Sequence, residues 1–163
     1  MKQGMIHIYS GSGRGKSSAA LGQAIQAANV GKKVIIIQFL KGLEETEILK
    51  RLEPEIKIFR FEKSGGNFDT LPEDQKVEEI KNIKNGLCFA KKVLTTGECD
   101  LLVLDEVLGL IDNKIITVEE LKQILNLKSA EVMVIMTGIQ LSDATCVLAD
   151  EISKIETVKF KVF

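Results

Sequence analysis

The sequence predicts an α/β fold: an open, mostly parallel sheet of about six strands with helices on both faces. Two observations carry this expectation. Short β-rich runs alternate with longer helical patterns along the whole chain, the signature of strand–helix–strand units with right-handed crossovers. Two of the runs, Val34-Ile35-Ile36-Ile37 and Leu101-Leu102-Val103-Leu104, are continuously apolar, which suits strands covered on both faces. A chain of 163 residues buries roughly 70% of its unfolded surface in one core, so one domain over residues 1–163 is expected.

The strands read in order as Met5–Tyr9, Val34–Phe39, Ile56–Phe61, Leu101–Asp105, Glu131–Thr137 and Ile152–Phe160. Between them, Gly15 to Asn29 is an Ala-rich helix with Leu21 and Ile25 four apart and Gly31 as its stop. Glu44 to Leu52 reads as a short helix ending before Pro54. Thr70-Leu71-Pro72-Glu73 has the spacing of a capping box. The helix it opens runs to about Leu94, with Val77, Ile80, Ile83, Leu87 and Val93 facing inward. Thr117-Val118-Glu119-Glu120 repeats the capping pattern for a helix to Leu125, and Ser142 to Leu148 is a further short helix. No internal repeat or low-complexity segment is present; the loosest stretch is residues 62–69, with adjacent Gly65 and Gly66.

Composition removes several function classes. Apolar residues make up 45% and charged residues 28%, the balance of a globular protein and not of a disordered chain. Lys plus Arg total 22 against 23 for Asp plus Glu, a net charge of -1, so no global basic field draws in nucleic acid. Seven Phe, one Tyr and no Trp leave little for a base-stacking platform. Cys88, Cys99 and Cys146 form no C-x-x-C pair; they read as small buried or half-buried residues in a reducing cytoplasm. The opening run to Tyr9 is too short for a signal peptide, and no apolar stretch approaches the ~20 residues of a membrane span.

The decisive segment is Ser10-Gly11-Ser12-Gly13-Arg14-Gly15-Lys16-Ser17-Ser18, which follows the first strand and opens the first helix. That context is what a phosphate-binding loop requires, although the usual first glycine is Ser10 here. Glycines let successive amides turn inward as a nest for anionic oxygens. The helix start adds unpaired N–H groups and partial positive charge. Lys16 supplies a full charge for the phosphates, Arg14 a bidentate contact, and the Ser17 hydroxyl stands where a Mg²⁺ ligand belongs. Gly11, Ser12, Gly13, Arg14, Gly15, Lys16, Ser17 and Ser18 are therefore the expected nucleotide-binding residues, and the fold class narrows to a P-loop NTPase of RecA-like type.

The fourth strand ends in Asp105 and Glu106, at the edge where open α/β sheets bind ligands. One of the two carboxylates is expected to hold Mg²⁺ opposite Ser17, directly or through water. His7, the one histidine, lies within the first strand and reads as a packed residue; no nucleophile–histidine catalytic set can be built on it. Lys41 ends the second strand and faces either the anionic ligand or solvent. The acidic run Glu44-Glu45-Thr46-Glu47 reads as a solvated helix face.

Several segments together resemble the cob(I)alamin adenosyltransferases of the corrinoid ATP-transferase type. Ser10 to Ala20 is similar to that family's T-G-x-G-K-G-K-T-T-A-A, Gln38-Phe39-Leu40-Lys41-Gly42 to its Q-F-x-K-G, and Val103-Leu104-Asp105-Glu106 to its V-L-D-E. Thr137-Gly138 falls where the family has T-G-R, with Ile139 in place of the Arg. Leu148-Ala149-Asp150 and Val158-Lys159 resemble its L-A-D and V-K-H. The segments keep family order over almost the whole chain. Of the family's aromatic F-T-W segment only Phe68 has a counterpart.

The resemblance implies attack by Co(I) on the ribose C5′ of ATP, with triphosphate leaving intact. It implies ATP and a reduced corrinoid, cob(I)alamin or another, as substrates, Mg²⁺ as cofactor, a reductase supplying Co(I), and a homodimer. In this reading the loop amides, Lys16 and Mg²⁺ serve the triphosphate, and Ser17 with Asp105 or Glu106 holds the metal. Lys16 and Glu106 are the expected catalytic residues. Lys41 joins the binding set, and Phe68 with its glycine-flanked loop covers the corrin. Two other classes stay open: a small P-loop phosphotransferase or NTPase acting at the γ-phosphorus, and a non-catalytic nucleotide-binding module.

Overall fold

Parallel strands need helical crossovers to return the chain to the same edge, and the molecule supplies them in sequence order. The structure, a computed structural model, describes residues 4–40, 47–62, 67–159 and 161–162. Its strands are β1 (Ile6–Ser10), β2 (Val34–Gln38), β3 (Ile56–Arg60), β4 (Leu101–Asp105), β5 (Met133–Gly138) and β6 (Glu151–Lys154). They form one six-stranded sheet in the order β3-β2-β4-β5-β1-β6, and every pairing is parallel. The helices are α1 (Lys16–Asn29), α2 (Glu47–Lys50), α3 (Glu73–Thr96), α4 (Val107–Asp112), α5 (Val118–Leu125) and α6 (Asp143–Cys146).

The two apolar runs are central strands, and their alternating side chains enter two separate cores. Val34, Ile36, Leu101 and Val103 pack with Tyr9 and Ile135 beneath Ala20 and Ala24 of α1. Ile35, Ile37, Leu102 and Leu104 pack with Ile8, Val134 and Met136 beneath α3, α4 and α5. Burial on both faces is why these strands show no polar alternation. Alanines on the buried side of α1 let its backbone lie close to the sheet.

Five details differ from expectation. Thr70 does not cap α3: its hydroxyl donates to the Asn67 carbonyl at 2.8 Å inside a 3-10 turn over Phe68–Thr70. Leu71, ahead of Pro72, is extended (φ -71, ψ 145), as a residue before proline must be, and α3 starts at Glu73 without a side-chain cap. Val77 is 63% exposed, because at about 100° per residue it lies about 120° around the helix from Ile83. The last strand stops at Lys154 instead of Phe160; past it the Ile155 amide donates to the Ser10 carbonyl at 2.7 Å and the chain crosses behind the glycine loop. Helix α4 was not expected, since six residues are too few to show a helical period. Cys88 is exposed, whereas Cys99 is buried and Cys146 half-buried.

The capping box at Thr117 is present: Thr117 Oγ1 accepts from the Glu120 amide at 3.1 Å and Glu120 Oε2 from the Thr117 amide at 2.7 Å. His7 is packed as expected, stacked on Tyr9 with ring centroids 4.2 Å apart and Nε2 2.8 Å from Ser153 Oγ.

Candidate functional site

The glycine loop leaves β1 at Ser10 and enters α1 at Lys16. Two of its glycines are obligatory. Gly15 stands at φ 114 as the residue before the first helical turn, a conformation that a Cβ disfavours. Gly11 has φ 142, and a Cβ there would overlap the carbonyl of Ile155. Among the described residues no side chain caps the start of α1, and no acidic residue lies in its first turn. The positive end of the helix dipole therefore faces the glycine loop with no carboxylate of its own first turn against it. Lys16 is 8% exposed and donates from Nζ to the Gly13 carbonyl at 3.2 Å, so its ammonium lies along the loop. Ser12, Arg14 and Ser18 are exposed around it.

Register brings the other charged group to the same edge. Gln38 at the end of β2 pairs with Asp105 at the end of β4, and Ser10 pairs with Gly138 at the end of β5. Asp105 is 2% exposed, and side chains from three other elements donate to its carboxylate. Ser17 Oγ donates to Oδ1 at 3.0 Å, Thr137 Oγ1 to Oδ1 at 2.7 Å, and Gln38 Nε2 to Oδ2 at 3.5 Å. Of the two expected carboxylates, Asp105 is the one joined to Ser17. Glu106 turns away from the strand at φ 62, ψ 19, as the residue before α4. Such a left-handed conformation costs a residue with a Cβ roughly 1–2 kcal/mol. Its amide donates to Thr137 Oγ1 at 2.7 Å. A crevice of about 130 Å³ opens here, lined by Ser17, Ser18, Leu21, Gln38, Leu49 and Asp105.

Lys41 lies outside the described residues. Phe68 is half-buried at the edge of the core under α3, with the Lys76 ammonium 5.7 Å from its ring centre. Ile139 is 51% exposed just beyond β5. Ser10, in the place of the usual first glycine, is 1% exposed, and its Oγ has no hydrogen-bond partner among the described residues.

Three residues at this edge were not singled out from the sequence for their chemistry: Thr137, Gln38 and Arg60. Arg60, at the end of β3, donates to Gln38 Oε1 from Nε at 3.3 Å and from Nη2 at 3.1 Å. A signal was present in two cases. Gln38 and Thr137 are polar residues that follow apolar runs at the C-terminal end of a strand, the same pattern that drew attention to Asp105.

Similarity to known proteins agrees with this geometry. Residues 2–162 match the family described as ATP:corrinoid adenosyltransferase BtuR/CobO/CobP. The chain belongs to this family. Its relatives include the corrinoid adenosyltransferase of Escherichia coli (strain K12), 30% identical over 158 residues, covering 97% of this chain and 79% of the relative. Corrinoid adenosyltransferase CobA of Salmonella typhimurium is 29% identical over 163 residues, with 97% and 79% covered. Among solved structures, the KaiC-like protein PH0186 from Pyrococcus horikoshii OT3 overlays with a TM-score of 0.62 at 19% identity, covering 98% of this chain and 76% of that one. This likeness bears on the fold alone and agrees with the all-parallel α/β sheet.

Proposed function

We propose that this chain transfers the 5′-deoxyadenosyl group of ATP to the cobalt of a reduced corrinoid. The observation that carries the reading is the uncapped start of α1 beside the Ser17–Asp105 pair, in a chain of the ATP:corrinoid adenosyltransferase family. Co(I) donates its electron pair to the ribose C5′, the C5′–O bond to the triphosphate breaks, and a Co–C bond forms. Cobalt is formally oxidised to Co(III), and intact triphosphate leaves with the bonding pair of the C5′–O bond.

The protein then has two tasks. It neutralises the charge on the leaving triphosphate, and it holds C5′ in line with cobalt. The amides of residues 11–18 and the Lys16 ammonium take the first. The donor set at Asp105 fits Mg²⁺: a hydroxyl and a carboxylate are hard oxygen ligands. Ser17 with Asp105 would hold the ion, and it would supply further neutralisation of the phosphates. Glu106 and Phe68 remain in the reading as a catalytic carboxylate and as part of the corrin cover.

The same reading includes one nucleotide-binding domain over residues 1–163, a reductase that supplies Co(I), a homodimer and a cytoplasmic location. No helix among the described residues is long and apolar enough to cross a membrane.

The test is product analysis. The protein is incubated with Mg-ATP and chemically reduced cob(I)alamin, and the corrinoid spectrum and phosphate products are followed. Light-sensitive adenosylcobalamin with stoichiometric triphosphate is the expected result. ADP or phosphate without cobalt alkylation would assign the chain to phosphoryl transfer instead. Tight nucleotide binding with no turnover would make it a binding module.

A further inference from the structure

We propose that Thr137 and Gln38 are positioning residues that lock the Asp105 carboxylate from both of its oxygens. Through Thr137 the lock extends to the Glu106 backbone, so that metal-bound nucleotide meets a preset acidic pair. The proposal rests on the metal–nucleotide reading of this edge.

The proton count at Thr137 leads to it. An ionised carboxylate only accepts hydrogen bonds, so the Thr137 hydroxyl proton is committed to Asp105 Oδ1 at 2.7 Å. The lone pairs of the same oxygen then face outward, and one receives the Glu106 N–H at 2.7 Å. One hydroxyl thus joins the side chain of the first acidic residue to the main chain of the second. Thr137 is fully buried and held by its strand pairing and by the contact beside it, where a Cβ on Gly138 would overlap Leu108 of α4. The left-handed turn at Glu106, φ 62, sets where the Glu106 side chain leaves the strand, and the bond from its amide to Thr137 anchors that turn.

Gln38 completes the lock on the other oxygen. A guanidinium only donates, so the two Arg60 contacts, at 3.3 and 3.1 Å, place the Gln38 carbonyl oxygen toward Arg60. The amide nitrogen is thereby turned toward Asp105 Oδ2, 3.5 Å away. Ser17, one donor to Asp105, lies on the nucleotide loop. Thr137 and Gln38 come from the sheet, so the carboxylate keeps its orientation when Ser17 also engages the metal.

The test separates metal-dependent from metal-free nucleotide binding. ATP binding is titrated with EDTA and with Mn²⁺, and the bound Mn²⁺ is observed by electron paramagnetic resonance, for the parent, Ser17→Ala, Thr137→Val, Thr137→Ser and Gln38→Met. Metal-free ATP affinity is expected to stay within about 2-fold of the parent in Thr137→Val, while the Mn²⁺-dependent gain falls ~10–100-fold, the usual loss when a group supporting a metal ligand is removed. Thr137→Ser is expected to recover most of that gain, and Gln38→Met to show a smaller loss in the same direction. A Thr137→Val protein that binds Mn-ATP like the parent, alongside a weakened Ser17→Ala, sinks the positioning role and leaves the site reading intact. A parent that gains no ATP affinity from Mn²⁺ sinks both. Should Thr137→Val fail to fold, Gln38→Met decides: Mn-ATP affinity and spectrum identical to the parent overturn the proposal.

Discussion

The two ends of the sheet carry opposite kinds of surface. Beside the N-terminal ends of β2 and β3 opens a cleft of about 620 Å³, walled by Phe59 and Phe89 and rimmed by Lys32, Lys33, Lys57, Glu55 and Glu98. All five rim residues are exposed, so their charges are solvated and weak at a distance. At the C-terminal end the crevice is only about 130 Å³, yet it borders a buried carboxylate to which side chains from three other elements donate and lies next to a buried lysine. Volume alone favours the end opposite the proposed site. A site that stabilises charge needs groups already oriented and removed from water, because these cost no reorganisation when the ligand arrives.

The contrast makes predictions of decreasing size. Lys16→Ala is expected to lower the transfer rate ~10²–10³-fold, the range found when one preorganised stabilising donor is removed, with the melting curve little changed. Lys57→Ala at the opposite cleft should leave the rate within about 2-fold, since exposed charges contribute little. Equal losses in the two variants, measured by initial rates of cobalt alkylation, would erase the distinction between the ends.

Asp105→Asn should raise the Mg²⁺ concentration for half-maximal turnover ~10–100-fold, because Asp105 is the carboxylate bonded to Ser17. Glu106→Gln should move that midpoint less and act mainly on the maximal rate. A larger Mg²⁺ shift in Glu106→Gln would reverse the assignment of the metal carboxylate.

Stability probes give smaller effects. Ser10→Ala removes a buried hydroxyl without a partner among the described residues and is expected to stabilise the fold by about 1 kcal/mol, read as a higher denaturant midpoint. The capping box of α5 gives a pH signature. The Thr117 backbone amide, helped by Lys84, holds the Glu120 carboxyl below its ordinary value of 4.5. Its contribution to stability is therefore fully present above that value and is lost as pH falls through the lower folded value. Glu120→Gln should flatten this part of the acid-unfolding profile by a few tenths of a kcal/mol, the scale of an exposed pair. An unchanged profile would mean that the cap is not formed in solution.

Much of the architecture was legible because it depends on local pattern. Val34–Ile37 and Leu101–Leu104 announced central parallel strands, and Thr117 with Glu120 announced a helix start. Where a local pattern was overruled, a neighbour was responsible: Pro72 displaced the start of α3 from Thr70, and the glycine loop drew residues 155–157 across its back, ending β6 early. The glycine loop, Ser17 and Asp105 were legible as candidate site residues from chemistry and spacing, and the fold brings Ser17 and Asp105 into contact. The roles proposed for Thr137, Gln38 and Arg60 were not, since these stand on three different strands and act through a carboxylate on a fourth.

From the sequence alone came the fold class, the glycine-rich turn between β1 and α1 and the resemblance to the corrinoid adenosyltransferases, because each is written in contiguous residues whose periodicity and backbone freedom act locally. Tertiary structure alone decided which acidic residue meets Ser17, which face of each strand lies under α1, and which polar side chains surround Asp105. Those outcomes depend on strand order and register, which bring Gln38, Asp105 and Thr137 together from positions as far as 99 residues apart, and hydrogen bonding between them acts only across a few ångströms.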